Sequence, residues 1–348
     1  MDEMKTLTIN GVTYEIVDET ARAQISNKQD RLDVPSWVAS ALPSNTAWHT
    51  VAYGNGTYVA ITNDSNKTAY STDGINWTET TNLPSESDWR SIVYGDGKFV
   101  AITYGTAGAY STDGINWTPI TFPVSRNRSS VTYGNGTFVA ICASSDAVSY
   151  STDGINWSES TLPSAGSWQS VTYGNGVFVA VMKDSDAAAY STDGITWIAT
   201  TLSSNTRWRS VAYGNGMFVA VATNVNTAAY STDGINWSET TLPTKASWYS
   251  VAYGNGMFMA VAYNSAVSMY SIDGINWTET ELPYKTYWYS VAYGPVGFVA
   301  IGFSSDKAAY VKTTELFAAR IDRDAIPVET LTFTLEDGST VTKKVYVG

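Results

Sequence analysis

Residues 206–243 read TRWRSVAYGNGMFVAVATNVNTAAYSTDGINWSETTLP, and six similar copies of this stretch occur along the chain at intervals of about forty residues. A unit of this length cannot bury its own apolar face, so neighbouring copies must supply each other's core. The repeat therefore predicts one architecture built from seven similar units. The tyrosines of the YG pair that marks each copy are Tyr53, Tyr94, Tyr133, Tyr173, Tyr213, Tyr253 and Tyr293.

Each copy predicts four short strands, because four of its runs alternate apolar and polar residues or are rich in β-branched and aromatic types. The Gly-Asn-Gly between strands a and b and the Asp-Gly between strands c and d indicate tight turns, since glycine reaches positive φ. Four antiparallel strands in such a unit are typical of a propeller blade. In the copy above, strands a to d are predicted at Trp208–Tyr213, Met217–Ala222, Thr227–Ser231 and Ile235–Leu242.

The last copy ends after its strand c, at Ala308–Lys312, and its fourth strand is predicted at the other end of the chain. Residues 33–37 (DVPSW) align with residues 73–77 (DGINW) at an offset of forty. The predicted fold class is therefore all-β: a seven-bladed β-propeller with four-stranded antiparallel blades, closed by the N-terminal strand so that no sheet edge is exposed.

Composition excludes several classes of function. The net charge of −12 argues against nucleic acid as a partner, because phosphate binding needs clustered Lys and Arg. No apolar run approaches the roughly twenty residues of a membrane span, and the N-terminus lacks a signal-peptide pattern. Cys142 and His49 are the only cysteine and the only histidine, so no disulfide framework, metal site or cofactor is expected.

The segment Ser-Thr-Asp-Gly-Ile-Asn-Trp at residues 71–77 recurs with small changes in six copies. It resembles the Asp-box of sialidase-like propellers, with one residue fewer between Asp and Trp. In that family the boxes are structural turns on the side away from the active site. We expect each Asp to cap N–H groups of its own turn and each Trp to fill the gap between blades. The aspartates concerned are Asp73, Asp113, Asp153, Asp193, Asp233 and Asp273.

The two ends of the chain differ from the repeat. Residues 5–17 and 329–347 are each predicted to form a hairpin, turning at Asn10-Gly11 and Asp337-Gly338. These segments resemble end segments of structural proteins of bacteriophages. A short helix is predicted at residues 18–32. The predicted domains are an N-terminal attachment module (1–32), the propeller (33–313) and a C-terminal hairpin module (314–348).

The phage resemblance implies a virion protein of the tail-fibre, baseplate or receptor-binding type, made in the cytoplasm of the bacterial host. Its terminal hairpins would contact other virion proteins, and homo-oligomers are common in such assemblies. The repeat adds a second expectation. The a–b turns hardly change between copies while the b–c and d–a links vary, and strands that alternate in direction place these two sets on opposite faces.

The varied face is predicted to bind a host cell-surface ligand, a glycan or a protein, because aromatic rings pack on sugars and arginine donates in a fixed fork. The strand-a tryptophans are expected to pack between blades rather than to stack on sugars. Arg128 replaces that tryptophan in the third copy. The candidate binding residues are His49, Arg90, Arg128, Gln169, Arg209, Tyr249, Tyr284, Tyr287 and Tyr289.

Two other readings of the varied face stay open. Surface loops drift without selection, which would leave a structural or decoration component of a virion that binds no ligand. A sialidase-like glycoside hydrolase would need an arginine cluster, a Tyr nucleophile supported by Glu, and an Asp acid. No Glu stands beside a varied-face Tyr in a distinctive motif, so we do not expect an enzyme.

Overall fold

The computed structural model divides into two compact units. Residues 36–312, which we name the repeat domain, form one unit, and segments 1–35 and 313–348 together form the other. The predicted helix at 18–32 and the two predicted hairpin turns lie outside the described residues. The described residues are 5–9, 12–16, 35–84, 88–312, 328–334 and 340–346.

The flanking segments contain the two predicted hairpins. Strand β1 (Lys5–Ile9) pairs antiparallel with β2 (Val12–Ile16). Strand β24 (Val328–Thr334) pairs antiparallel with β25 (Thr340–Tyr346). Both pairings flank the turn positions that the sequence indicates, so the hairpins are confirmed.

The described part of the repeat domain is built of strands alone. They are β3 (Trp37–Thr46), β4 (Trp48–Gly54), β5 (Thr57–Thr62), β6 (Thr68–Ser71), β7 (Thr78–Thr80), β8 (Trp89–Gly95), β9 (Lys98–Ser111), β10 (Thr118–Gly134), β11 (Thr137–Ser151), β12 (Ser158–Gly174), β13 (Val177–Ser191), β14 (Ile198–Gly214), β15 (Met217–Ala222), β16 (Val225–Ser231), β17 (Ser238–Gly254), β18 (Met257–Tyr263), β19 (Ser265–Ser271), β20 (Thr278–Thr286), β21 (Trp288–Gly294), β22 (Gly297–Gly302) and β23 (Ser305–Lys312).

The strands of the fifth copy follow the prediction in order, with corrections to their bounds. Strand b is β15, as predicted, but strand c begins at Val225 rather than Thr227. Strand d begins at Ser238 rather than Ile235. The N–H groups of Ile235 and Asn236 donate to the Asp233 carboxylate, so these residues belong to the turn. Strand β17 then continues into strand a of the next copy. The d–a link of this copy is therefore extended strand and not the loop that was expected.

Each strand of a copy pairs antiparallel with the next, and the last copy receives its fourth strand from the N-terminal segment. Strand β23 pairs with β3, with Val311 opposite Trp37 and Ser305 opposite Thr46. The sheet order β21-β22-β23-β3 is the one that the forty-residue offset predicts. Lys312, at the end of this pairing, lies opposite Gly297 of the a–b turn. Both chain connections of the repeat domain thus leave at the edge that carries the a–b turns.

The apolar core is shared between consecutive copies, as the repeat length requires. One buried cluster joins Val139 and Ile141 of the third copy to Trp168 and Phe178 of the fourth. Five of the six strand-a tryptophans lie within such clusters, and none of the six is more than 1% exposed. This burial confirms their packing role and excludes them as sugar-stacking surfaces. They are Trp48, Trp89, Trp168, Trp208, Trp248 and Trp288.

The glycine of each YG pair is required by a close contact with the following copy. A methyl group on Gly174 would lie 1.9 Å from Cγ of Tyr213. The turn itself uses the next two residues, Asn175 (φ 48°) and Gly176 (φ 80°). The first glycine of the Gly-Asn-Gly turn is therefore not explained by positive φ, contrary to the expectation from the sequence. Between the last copy and the first, Gly294 faces Tyr53 and Tyr58 in the same way.

The carboxylate of each aspartate turn accepts hydrogen bonds from N–H groups of the same turn. In the second copy, the N–H groups of Ile115 and Asn116 donate to the Asp113 carboxylate, and the Ser111 hydroxyl donates to it as well. Burial alone would raise the pKa of Asp113, but these hydrogen bonds outweigh it and lower the pKa to about 2. Each carboxylate is therefore used by its own turn, the structural role that the sequence predicts.

Gly174→Ala is expected to lower the melting temperature of the full chain, because overpacking against Tyr213 costs about 1–3 kcal/mol. Gly176→Asn is the matched control, since a methyl group there meets no atom within 4 Å and asparagine tolerates positive φ. Differential scanning calorimetry measures both variants. An unchanged melting temperature for Gly174→Ala would contradict the close-contact explanation.

Candidate functional site

One residue of strand a is displaced from the sheet in every copy. In the fifth copy, Trp208 lies opposite Ala222 and Ser210 lies opposite Val221, which leaves Arg209 as the extra residue of a β-bulge. A bulge bends the strand and re-aims the side chain of the extra residue. The same slip occurs at the equivalent position of each copy. The bulged residues are His49, Arg90, Ser129, Gln169, Arg209, Tyr249 and Tyr289.

All seven bulged residues line one cavity of about 640 Å³, which we name the bulge cavity. In six of the seven copies, the serine that follows the bulge accepts a hydrogen bond from a backbone N–H of the next copy. The N–H of Val211 donates to Ser170 Oγ at 3.1 Å, and the N–H of Val51 donates to Ser290 Oγ at 3.2 Å. The bulge thus displays a variable side chain while the next residue makes a constant contact.

A second position at the cavity wall was missed by the sequence analysis. Tyr104, Lys183, Thr223 and Tyr263 stand at equivalent places, one residue after the predicted end of strand b, and all four line the bulge cavity. A sequence signal for this position exists: the residue differs between copies, as the bulged residue does, although it directly follows an apolar strand that hardly changes. The position is occupied by Asn63, Tyr104, Ala143, Lys183, Thr223, Tyr263 and Phe303.

The structure brings six of the nine predicted binding residues together at the bulge cavity. Tyr284 and Tyr287 lie outside it, with 36% and 41% of their surface exposed. Arg128 is the ninth. The six that line the cavity are His49, Arg90, Gln169, Arg209, Tyr249 and Tyr289.

Arg128 does not belong to the binding surface, because its side chain is completely buried. It occupies the place that tryptophan takes in the other copies. Its guanidinium lies 3.7 Å above the Phe122 ring and donates to Ser149 Oγ at 3.0 Å. It also donates to Glu159 Oε1 at 3.2 Å. The long aliphatic stem and the half-buried Glu159 carboxylate let an arginine fill a core site, so this variation between copies reflects packing.

The bulge cavity carries positive charge. Arg90, Lys183, Arg207 and Arg209 line it, and no Asp or Glu of the described residues does so. Three of these four side chains have a carboxylate nearby. Asp184 lies 2.8 Å from Arg207 Nε and 3.8 Å from Lys183 Nζ. Asp88 lies 3.4 Å from Arg90 Nη2. The cavity is therefore a local cationic region on an acidic chain.

Arg209 has no carboxylate partner within 4 Å among the described residues. Its Nη1 donates to Gln169 Oε1 at 2.7 Å. The guanidinium carbon lies 4.6 Å from the Tyr249 ring centre and 5.6 Å from that of Tyr289. A neutral amide and two aromatic rings hold the group in place without neutralising it, so its charge is available to a ligand.

His49 is a neutral hydrogen-bonding group at the same cavity. Burial lowers its pKa to about 3, and the positive charges of Arg209 and Arg90 act in the same direction. Its ring centre lies 4.6 Å from that of Tyr289. Its Nδ1 is buried and has no hydrogen-bond partner in the described part of the chain. One ring nitrogen of the neutral imidazole, Nδ1, is thus left without a hydrogen bond from the described residues.

Aromatic rings form a continuous series along the wall of the last two copies. Tyr263 stacks on Tyr249 with ring centres 4.7 Å apart, and Tyr249 meets Tyr289 edge-on at 4.9 Å. Every described side chain that lines the cavity is polar or aromatic. Pockets for drug-sized apolar ligands are lined mostly by hydrophobic side chains, so this composition favours a hydroxyl-rich or charged ligand.

Two further properties bear on the type of site. The part of the chain that the structure describes contains no group of three or more His, Cys, Asp or Glu residues arranged to hold a metal ion. Within that same part, no helix has the length and hydropathy needed to cross a membrane.

Comparison with known proteins identifies the fold. Residues 32–159 match the model of the DUF6242 beta propeller domain. The chain is similar to the structure of virginiamycin B lyase from Staphylococcus aureus, with 14% identity and a TM-score of 0.71 over 80% of this chain and 99% of that one. It is also similar to YCF48 bound to D1 peptide, with 16% identity and a TM-score of 0.64 over 81% and 96% of the two chains. No curated protein sequence matches this chain.

At these identities the similarity establishes the fold alone. Together with the all-β architecture of the repeat domain, it shows that the protein contains a β-propeller.

Glu159→Ala is expected to destabilise the protein by about 3–5 kcal/mol, because it leaves the buried Arg128 charge without its partner. Glu239 occupies the equivalent position in the fifth copy and makes no ion pair within the described residues, so Glu239→Ala is the matched control, with an effect of about 0.5 kcal/mol or less. Chemical denaturation of both variants measures the difference. Equal stabilities would mean that Glu159 does not compensate the buried guanidinium.

Proposed function

We propose that this chain is a binding module whose bulge cavity recognises an anionic glycan on a host cell surface. One observation carries the proposal: all seven copies direct a variable side chain into one cavity that is polar, aromatic and cationic. A sugar offers hydroxyl groups to the serine, asparagine and glutamine side chains, and its C–H face suits the tyrosine rings. Carboxylate or phosphate groups on the glycan would engage the arginines.

The charge of the cavity favours an anionic over a neutral glycan. The chain as a whole is acidic, so four cationic side chains at one cavity are a local departure from its composition. Arg209 is the strongest candidate for the primary contact, because no described carboxylate competes for its guanidinium. A guanidinium that is already oriented loses less conformational freedom when it binds a carboxylate.

The chemistry of the cavity favours binding over hydrolysis. The glycosidase mechanisms considered above use carboxylic acids at the site of bond cleavage. No carboxylate of the described residues lines the bulge cavity. His49, with a pKa of about 3, is a weak general base near neutral pH. We therefore propose a binding protein and not a sialidase-like hydrolase.

A peptide ligand is the second candidate, because one similar propeller is described as bound to a peptide. Peptide grooves commonly offer apolar pockets for side chains. The bulge cavity has no aliphatic lining among the described residues, which places the peptide second. A protein on the host surface would fall in this class.

We further propose that the propeller has seven blades closed into a ring. One pairing within the last copy, that of β23 with β3, supports this, as do two contacts between the last and first copies: the bond from Val51 to Ser290 and the packing of Gly294 on Tyr53. Each repeats a contact that also joins consecutive copies or strands. The Asp-box resemblance of the aspartate turns belongs to the same proposal.

The proposed setting is a bacteriophage virion. It rests on the resemblance of the two flanking hairpins to end segments of phage structural proteins. Both chain connections leave the repeat domain at the edge of the a–b turns. The bulge cavity is lined by other parts of each copy, the bulged residues of strand a and the residues just after the predicted strand b. Attachment to other virion proteins, or to further copies of this chain, would therefore leave the cavity free. A decoration protein without a ligand is the alternative.

Ring closure predicts different effects for two truncations. Deleting residues 1–46 removes β3 and exposes the edge of β23, so we expect aggregation or an early, broad melting transition. Deleting residues 1–32 keeps β3 and is the control, with melting expected close to that of the full chain. A sharp and unchanged transition after deletion of residues 1–46 would contradict closure by this strand.

Arg209→Gln is expected to weaken binding of acidic glycans about tenfold or more, the effect of losing a charged hydrogen bond of about 1.5–3 kcal/mol. Glutamine stands at the same position in the fourth copy, so the fold should tolerate it. A glycan array of matched neutral and acidic structures, followed by calorimetry on those bound, measures the effect. Lys98→Thr is the control, because it removes one charge at an a–b turn and the first and third copies carry threonine there.

Three results would contradict the proposed function. One is equal binding of neutral and acidic glycans. Another is unchanged affinity in Arg209→Gln. The third is binding of acidic peptides in preference to every acidic glycan on the array.

A further inference from the structure

The aromatic series of the last two copies continues beyond the bulge cavity. The ring of Tyr287 stacks on that of Tyr263, with centres 4.6 Å apart and an angle of 24°. Tyr263 in turn stacks on Tyr249 at 4.7 Å and 21°. Tyr263 and Tyr249 line the cavity, whereas Tyr287 is 41% exposed and lies outside its lining. Three nearly parallel rings thus lead from the cavity wall to an exposed phenol.

A second exposed tyrosine lies in the same d–a link. Tyr284 is 36% exposed, and Lys307 Nζ lies 5.2 Å from its ring centre. Lys307 is also paired with Asp306 at 2.9 Å. The link that precedes the last copy therefore carries two exposed phenol groups, and Lys307 of β23 lies beside one of them. Tyrosine and lysine are also among the side chains that line the bulge cavity.

The fold does not need tyrosine at these two positions. The position of Tyr284 is serine or threonine in five other copies, and that of Tyr287 is serine in two. The structural contact of this link is made by the backbone: Trp288 Nε1 donates to the carbonyl oxygen of Tyr284, as Trp208 Nε1 does to that of Ser204. Tyrosine side chains exposed where small residues suffice point to a role in binding.

We propose that Tyr284 and Tyr287 form an outer sugar-binding subsite, so that the ligand is an acidic oligosaccharide that extends from the bulge cavity across the link of the last copy. One sugar unit is held at Arg209, Tyr249 and Tyr289, and a later unit packs on the exposed phenol of Tyr287 beside Tyr284 and Lys307. This inference rests on the proposed function, and it adds the length and direction of the ligand.

The test uses oligogalacturonates from the monosaccharide to the hexasaccharide, titrated calorimetrically into the full chain. We expect affinity to rise with length until the outer subsite is filled. Tyr287→Ser should lower the affinity for the hexasaccharide about three- to tenfold, the value of one aromatic stacking contact, and leave that for the monosaccharide unchanged. Tyr287→Phe keeps the ring and should retain the affinity for the hexasaccharide.

Asn127→Ser is the matched control, because Asn127 occupies the position of Tyr287 in the third copy and is also exposed. It should change neither affinity. Binding that is the same at every length, or a loss in Tyr287→Ser that is equal for monosaccharide and hexasaccharide, would overturn the outer subsite and leave the proposed function standing. Failure of the unchanged protein to bind any member of the series would overturn both.

Discussion

Contact between a tyrosine ring and a glycine holds each copy of the repeat against the next. The tyrosine of one YG pair lies so close to the glycine of the preceding pair that a methyl group would overlap it, and this geometry recurs from Gly54 on Tyr94 to Gly254 on Tyr293. The contact fixes the spacing and angle between neighbouring sheets. Because a copy has no complete core of its own, the sheets, their turns and the cavity all depend on that spacing.

The β-bulge of strand a separates core packing from the lining of the cavity within three consecutive residues. In the fifth copy, Trp208 is buried in the core, Arg209 is turned towards the cavity, and Ser210 accepts a bond from the next copy. The middle residue can change without loss of either neighbour's contact. Its seven versions include histidine, arginine, serine, glutamine and tyrosine. A single backbone irregularity, repeated in each copy, thus allows seven independent choices around one cavity.

The sequence predicts the strands and the closing pairing well because these depend on periodic residue types that recur in every copy. The prediction for Arg128 is wrong because a substitution in the core and a substitution on the surface look alike in the repeat; only the burial of Arg128 and its ion pair with Glu159 distinguish them. The bulges also left no sequence signal, since a slip of one residue changes the direction of a side chain without requiring a particular residue type. Tyr104, Lys183 and Tyr263 were missed as cavity residues for another reason: the predicted strand b ends one residue before each of them.

The acidic surface and the cationic cavity act in opposite directions on an anionic ligand. A net charge of −12 repels such a ligand at a distance, while salt screens this repulsion beyond about 8 Å at physiological ionic strength. Contacts of the proposed ligand inside the cavity would be shorter than this and partly desolvated, so salt would weaken them less. Moderate salt should therefore speed the approach of the ligand more than it loosens the complex. A cavity that attracts only at short range favours ligands present at high density, as glycans are on a cell surface, because repeated encounters then replace long-range steering.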